Sequence, residues 1–128
     1  NGEHVLLVED DAAVRRFVCA ALRNYGYHVT EAATAAEAHA LCTQDHAAFA
    51  LLFSDVVLPD QNGVDLADQL RAAMPGVQVV LSSGYTDLRA QWSGKTNPAY
   101  LFIQKPFQVP QLLEIVRRAL AASSSPSA

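Results

Sequence analysis

Five short apolar runs, each followed by a stretch with helical periodicity, constrain this chain more than any other feature. Val5-Leu6-Leu7-Val8 is wholly apolar and runs straight into acids. After it, Val14, Phe17, Val18, Ala21, Leu22 and Tyr25 recur at helical spacing until Gly26 stops the pattern. Tyr27 to Glu31 alternates apolar and polar, which suits an edge strand with one face covered. Thr34 and Glu37 make a capping box that opens an alanine-rich helix reaching Cys42. Phe49 to Phe53 is again continuously apolar and ends at Ser54-Asp55. Gly63 starts a third helix with Leu66, Ala67, Leu70 and Met74 on one side, ended by Pro75-Gly76. Val77 to Leu81 reads as a fourth strand, with Ser82-Ser83-Gly84 as the turn after it. Thr86 caps an expected short helix through Trp92, and Ser93 to Pro98 is polar loop. Tyr100 to Ile103 is the fifth strand. The last helix is expected over Val109 to Ala121, with Pro110 tolerated in its first turn.

Strict alternation with apolar central strands implies an α/β fold, a parallel five-stranded sheet with helices on both faces and right-handed crossovers. Sites in such sheets form beyond the carboxyl ends of the strands, so five junctions need searching. With 128 residues there is room for one domain, read as 1–122, followed by a Ser/Pro/Ala tail over 123–128. Half the residues are apolar (51%) and 17% are charged, which fits a real core and excludes disorder for most of the length. A net charge of −4 argues against a nucleic-acid-binding face. No apolar run approaches the roughly 18 residues of a membrane span, and no signal-peptide pattern opens the chain. The expectation is a cytoplasmic domain that touches neither nucleic acid nor membrane, although a parent chain could be membrane-anchored. Opening on Asn1, not Met, it reads as a piece cut from something larger. Cys19 and Cys42 lie far from any CxxC spacing and read as small reduced core residues. His4, His28, His39 and His46 share no metal-ligand spacing and are expected at surfaces or edges.

The strand ends hold the chemistry. Glu9-Asp10-Asp11 follows the first strand, Asp55 the third, Ser83 the fourth and Lys105 the fifth. A nucleotide-binding fold would place a glycine-rich phosphate turn after its first strand. Acids stand there instead, and acids at such a rim suit a hard cation such as Mg²⁺, which takes oxygen ligands and keeps room for a phosphate oxygen. Two carboxylates about 4 Å apart repel by roughly 4 kcal/mol at an effective dielectric of 20. A cluster of Asp10, Asp11 and Asp55 therefore needs a divalent cation and the Lys105 ammonium to offset it. For Asp11, immediately before the first helix, the competing reading is an N-cap. Asp60 and Asp65 read as surface or capping acids.

With these residues in place, the chain resembles a response-regulator receiver domain over nearly its whole length, and most closely the receiver of a hybrid sensor histidine kinase. The resemblance rests on the acids of Leu7-Val8-Glu9-Asp10-Asp11, Asp55 followed by Pro59 and Gly63, Ser83-Gly84, and Lys105-Pro106-Phe107. It implies the flavodoxin-like (βα)5 sandwich with strand order 2-1-3-4-5. It also implies Asp55 as acceptor of a phosphoryl group from a phosphohistidine. Asp10, Asp11, Asp55 and the Val57 backbone carbonyl would hold Mg²⁺. Ser83 would bond a phosphoryl oxygen, Lys105 would pair with the phosphate and aspartates, and Phe102 would fill the aromatic position that rotates between exposed and buried. The implied partner is a histidine kinase or a histidine phosphotransfer domain, in the same parent chain or another.

Val57 and Tyr85, each two residues beyond a site residue, are bulky and lack a carboxylate or amide to orient an attacking water. They point to a comparatively long-lived acyl phosphate. A stand-alone single-domain regulator is the alternative context. A phosphatase with an aspartate nucleophile is the rival activity, but it would need a second aspartate where Val57 stands.

Overall fold

In the computed structural model, residues 2–43, 49–84 and 99–124 are described. The expected helix over Thr86 to Trp92 and the loop to Pro98 lie outside them. The strands are β1 (His4–Val8), β2 (His28–Ala32), β3 (Leu51–Asp55), β4 (Gln78–Ser83) and β5 (Leu101–Gln104). The helices are α1 (Ala12–Asn24), α2 (Ala35–Thr43), α3 (Gly63–Ala73) and α4 (Val109–Ser124). All strand pairs are parallel, in the order β2-β1-β3-β4-β5. The helix expected to stop at Ala121 continues to Ser124, two residues into the stretch read as tail. Among the described residues no helix is long and apolar enough to cross a membrane.

Period-two alternation divides the core. Along β1, Val5 and Leu7 join Phe53, Val80, Val18, Leu22 and Leu112 on the face covered by α1 and α4. Leu6 and Val8 point the other way, onto Leu52, Leu81, Leu66, Leu70 and the small Ala35 and Ala38 of α2 and α3. Strands buried on both faces read as continuous apolar runs, and β1 and β3 do. The edge position of β2 explains its alternating burial. Gly26, after α1, holds φ at 108°, a conformation that costs glycine little, and its N–H closes on the Arg23 carbonyl at 3.0 Å.

The strands reach further toward the site than apolar character suggests. The apolar pattern predicts that β3 ends at Phe53 and β4 at Leu81. Pairing instead continues through Ser54 opposite Leu81 and Asp55 opposite Ser82. Backbone hydrogen bonding does not depend on side-chain polarity, so the ladder runs on while the side chains turn polar. All five residues of β3 are buried, Asp55 included.

The cap at α2 forms with one shift from the standard box: Thr34 Oγ1 accepts from the Glu37 N–H at 3.1 Å, while Glu37 Oε1 accepts from the N–H of Ala33, one residue before the cap, at 2.8 Å. Asp60 adds a second cap from a distant part of the chain. Its two carboxylate oxygens accept from the N–H groups of Ala35 and Ala36, both at 2.9 Å. Those hydrogen bonds lower its pKa below the ordinary value of 3.8. A depressed carboxyl pKa contributes stability above the unfolded-state value and loses it as pH falls through the folded one. Asp60→Ala is therefore expected to lower Tm by a few degrees at pH 7, with the difference from the parent closing as pH falls below 3.8 and through the folded-state value, in paired thermal melts.

Candidate functional site

The ends of β1, β3 and β5 deliver the charged components. Glu9 follows β1 and is only 2% exposed; its N–H donates to the Ala32 carbonyl at 3.0 Å, so it continues the line of the strand. Asp10 is exposed beside it. Asp55 ends β3 at 7% exposure. Lys105 follows β5, held by its N–H to the Ser83 carbonyl at 2.8 Å. Its ammonium donates to Asp55 Oδ2 at 2.7 Å and to Glu9 Oε1 at 3.0 Å. The second oxygen of each carboxylate is also used: Asp55 Oδ1 accepts from the Val57 N–H at 3.1 Å, and Glu9 Oε2 from the Asp11 N–H at 3.1 Å.

Burial is the main reason the Glu9 carboxyl lies above its ordinary pKa; the Asp11 N–H opposes it, the charge of Asp55 adds to it, and Lys105 offsets part. Burial also works against the charge on Lys105, but its hydrogen bonds to Asp55 and Glu9 outweigh that and hold its pKa above the ordinary lysine value.

The run of acids after β1 predicts a cluster of Asp10, Asp11 and Asp55. The structure puts Asp11 on the helix instead: it is the N-cap of α1, with Oδ1 accepting from Ala13 and Val14 at 2.9 and 3.1 Å. Among the described residues, the three carboxylates with oxygens within 4.8 Å of one another are those of Glu9, Asp10 and Asp55. Glu9 takes the place given to Asp11. A detectable signal was present: the residue directly before Ala12-Ala13-Val14 is the capping position, which leaves the pair before it to face the rim. Arg15 fixes that loop from the helix side, donating to the Glu9 carbonyl at 2.7 Å while pairing with Glu31 of β2 at 3.4 Å.

The Ser83 hydroxyl is buried and has no hydrogen-bond partner among the described residues; the Ser82 hydroxyl is in the same condition. An unsatisfied buried hydroxyl costs about 1–3 kcal/mol, which an incoming oxygen ligand can relieve. Phe102 is half-buried and packs on the α2–α3 side of the sheet. Val57 is 41% exposed at the mouth of the site, and Tyr85 lies outside the described residues. Asn62 caps α3 through the Val64 N–H at 2.7 Å, and Asp65 sits in the first turn of that helix. Beside Lys105, Ala13, Val14, Phe17, Pro106 and Phe107 line an apolar groove of about 480 Å³.

A parallel sheet with helices on both faces, and with a buried aspartate, two further acids and a lysine converging at its carboxyl edge, is an α/β domain whose site lies beyond its strand ends. The chain belongs to the response regulator receiver domain family, which it matches over residues 5–117. It is 34% identical over 116 residues to the sensor kinase CckA of Brucella abortus, covering 91% of this chain and 12% of that protein. Similarity to the response regulator receiver protein CpdR of the same organism is 28% over 121 residues, covering 94% of this chain and 99% of CpdR. Among solved structures, NtrX from Brucella abortus in complex with ADP superposes with a TM-score of 0.86 at 29% identity, over 97% of this chain and 28% of that one. The chain thus spans a small fraction of two of these relatives and nearly all of the third.

Proposed function

We propose that this receiver domain takes a phosphoryl group from a phosphohistidine onto Asp55. The observation that supports this most is the contact of Lys105 Nζ with Asp55 Oδ2 at 2.7 Å inside an acid-lined pocket. In the transfer, the N–P bond of the donor breaks as a carboxylate oxygen of Asp55 bonds to phosphorus, and the charge on the moving group needs neutralising and positioning. Lys105 supplies one positive charge. The donor set of Glu9, Asp10 and Asp55 is all carboxylate oxygen, the chemistry Mg²⁺ selects, and the Val57 carbonyl is the proposed fourth protein ligand. Bound there, the ion supplies a Lewis acid for the phosphoryl oxygens. The Ser83 hydroxyl then donates to a phosphoryl oxygen. The added charge and acceptor atoms draw Ser83 and Lys105 inward and bias the surface around Phe102 that a partner reads.

The partner is a histidine kinase or histidine phosphotransfer domain, and the apolar groove at Phe17 and Phe107 beside Lys105 suits a helix that brings its histidine to Asp55. We read the parent as a hybrid sensor kinase acting in the cytoplasm, on the strength of the similarity to CckA. The match to CpdR along its whole length supports a stand-alone regulator as the second reading. The residues encoded before Asn1 separate the two.

Acetyl phosphate with Mg²⁺ tests the acceptor. The parent is expected to gain one phosphoryl group by mass, and Asp55→Asn none. Modification of the variant at an equal level would refute the assignment. The exposed Val57 side chain, lacking a group to orient water, supports a long-lived acyl phosphate. Val57→Asn is expected to shorten its half-life several-fold; a half-life of seconds in the parent, unchanged by this substitution, would count against that reading.

A further inference from the structure

We propose that His4 and His28 form a two-histidine site for a divalent transition-metal ion at the end of the sheet opposite the acidic pocket. The two residues are 24 positions apart in sequence, yet they are direct partners in the parallel pairing of β1 with β2. Partners in a parallel ladder project from the same face. Both side chains are exposed, and their ring centroids lie 4.9 Å apart with the planes inclined at 47°.

That separation fits shared coordination. With metal–nitrogen bonds of about 2.0–2.1 Å, two imidazoles at about 90–109° on one ion place their centroids roughly 4.5–5.2 Å apart. Among the described residues neither imidazole has a hydrogen-bond partner, so ring nitrogens are available on both. His39, by contrast, already faces Gln61 Oε1 at 3.4 Å. The approach is open as well. The main chain next to the His28 ring is Gly2, where even an added Cβ would stand 3.9 Å from Nε2. Water can fill the other coordination positions.

Imidazole pairs select Zn²⁺, Cu²⁺ or Ni²⁺, whereas Mg²⁺ prefers carboxylate and water oxygens. The two ends of the sheet therefore sort ions by donor type. His4 precedes Glu9 by five residues, roughly 16 Å along an extended strand, so the sites do not share ligands.

The test is a Zn²⁺ titration in excess Mg²⁺, followed by calorimetry and by the imidazole proton resonances. One Zn²⁺ per chain is expected to shift the resonances of His4 and His28 together. His4→Gln and His28→Gln should each weaken binding at least about tenfold, because each destroys the chelate, while phosphoryl acceptance stays at the parent level. Three outcomes would overturn the site: a single variant that binds within about threefold of the parent, Zn²⁺ displaced by Mg²⁺, or no binding at millimolar Zn²⁺.

Discussion

Gly63→Ala is expected to destabilise the domain by about 3 kcal/mol, the upper range for overpacking a filled site, and to impair phosphoryl acceptance at Asp55. A Cβ at this position would overlap the Asp55 carbonyl oxygen and stand 2.9 Å from both the Asp55 carbonyl carbon and the Val56 Cα. These are main-chain atoms, so no side chain can swing aside. The Gly63 N–H also donates to the Val56 carbonyl at 2.6 Å, which clamps the start of α3 onto the end of β3. On helix propensity alone, alanine would be worth up to about 1 kcal/mol more than glycine in a helix interior. The sign of the measured change therefore separates close packing from propensity. Urea denaturation gives the stability, and acetyl phosphate labelling reports whether Asp55 has moved. A variant as stable as the parent would show that the β3–α3 junction has room that the structure denies.

Lys105→Met should have an effect of similar size through a different cause. It leaves Glu9 and Asp55, with side chains 3% and 9% exposed, facing each other without their cation. Breaking one side of a buried ion pair costs about 3–5 kcal/mol. The pH dependence identifies the source. Glu9 has a folded-state pKa above its ordinary value of 4.5, so at pH values between the two the folded protein binds more protons there than the unfolded chain does. Stability attributable to Glu9 therefore declines as pH rises from that ordinary value through the folded one. Lys105 has a raised pKa, so its contribution is present below 10.5 and is lost as pH climbs through the folded value.

Without Lys105 the acid-side effect is expected to grow. The deficit of the variant should shrink as pH falls from 7 toward 5. It should also shrink when Mg²⁺ is added, because the ion binds the variant's carboxylates more tightly once the competing ammonium is gone, by about 1.4 kcal/mol for each tenfold difference in Kd between variant and parent. Denaturation curves at the two pH values, with and without Mg²⁺, measure both changes. A deficit indifferent to pH and to Mg²⁺ would mean that lost side-chain packing, not charge, is responsible.

Much of this was legible in the residue order. The apolar runs of Val5 to Val8 and Leu51 to Phe53 located the central strands, because a strand buried on both faces has no polar alternation to lose. Thr34 with Glu37 announced the start of α2, because the capping box is a local contact whose two halves lie three residues apart. Asp55 and Lys105 stood out as charged residues at the ends of apolar runs. The termini of β3 and β4 were less legible, since the ladder continues through Ser54, Asp55, Ser82 and Ser83 on backbone hydrogen bonds alone.

The sequence by itself determined the class of fold and the rim where its chemistry collects, since periodicity and short-range capping are written into neighbouring residues. Only the tertiary structure decided which acids meet. The turn into α1 sends Asp11 to the helix N-terminus and Glu9 to Lys105, a choice made by where the chain bends. The same holds for Asp60 capping a helix 25 residues away and for His4 facing His28. Contacts between distant residues follow from register and packing, and neither is encoded in any local pattern.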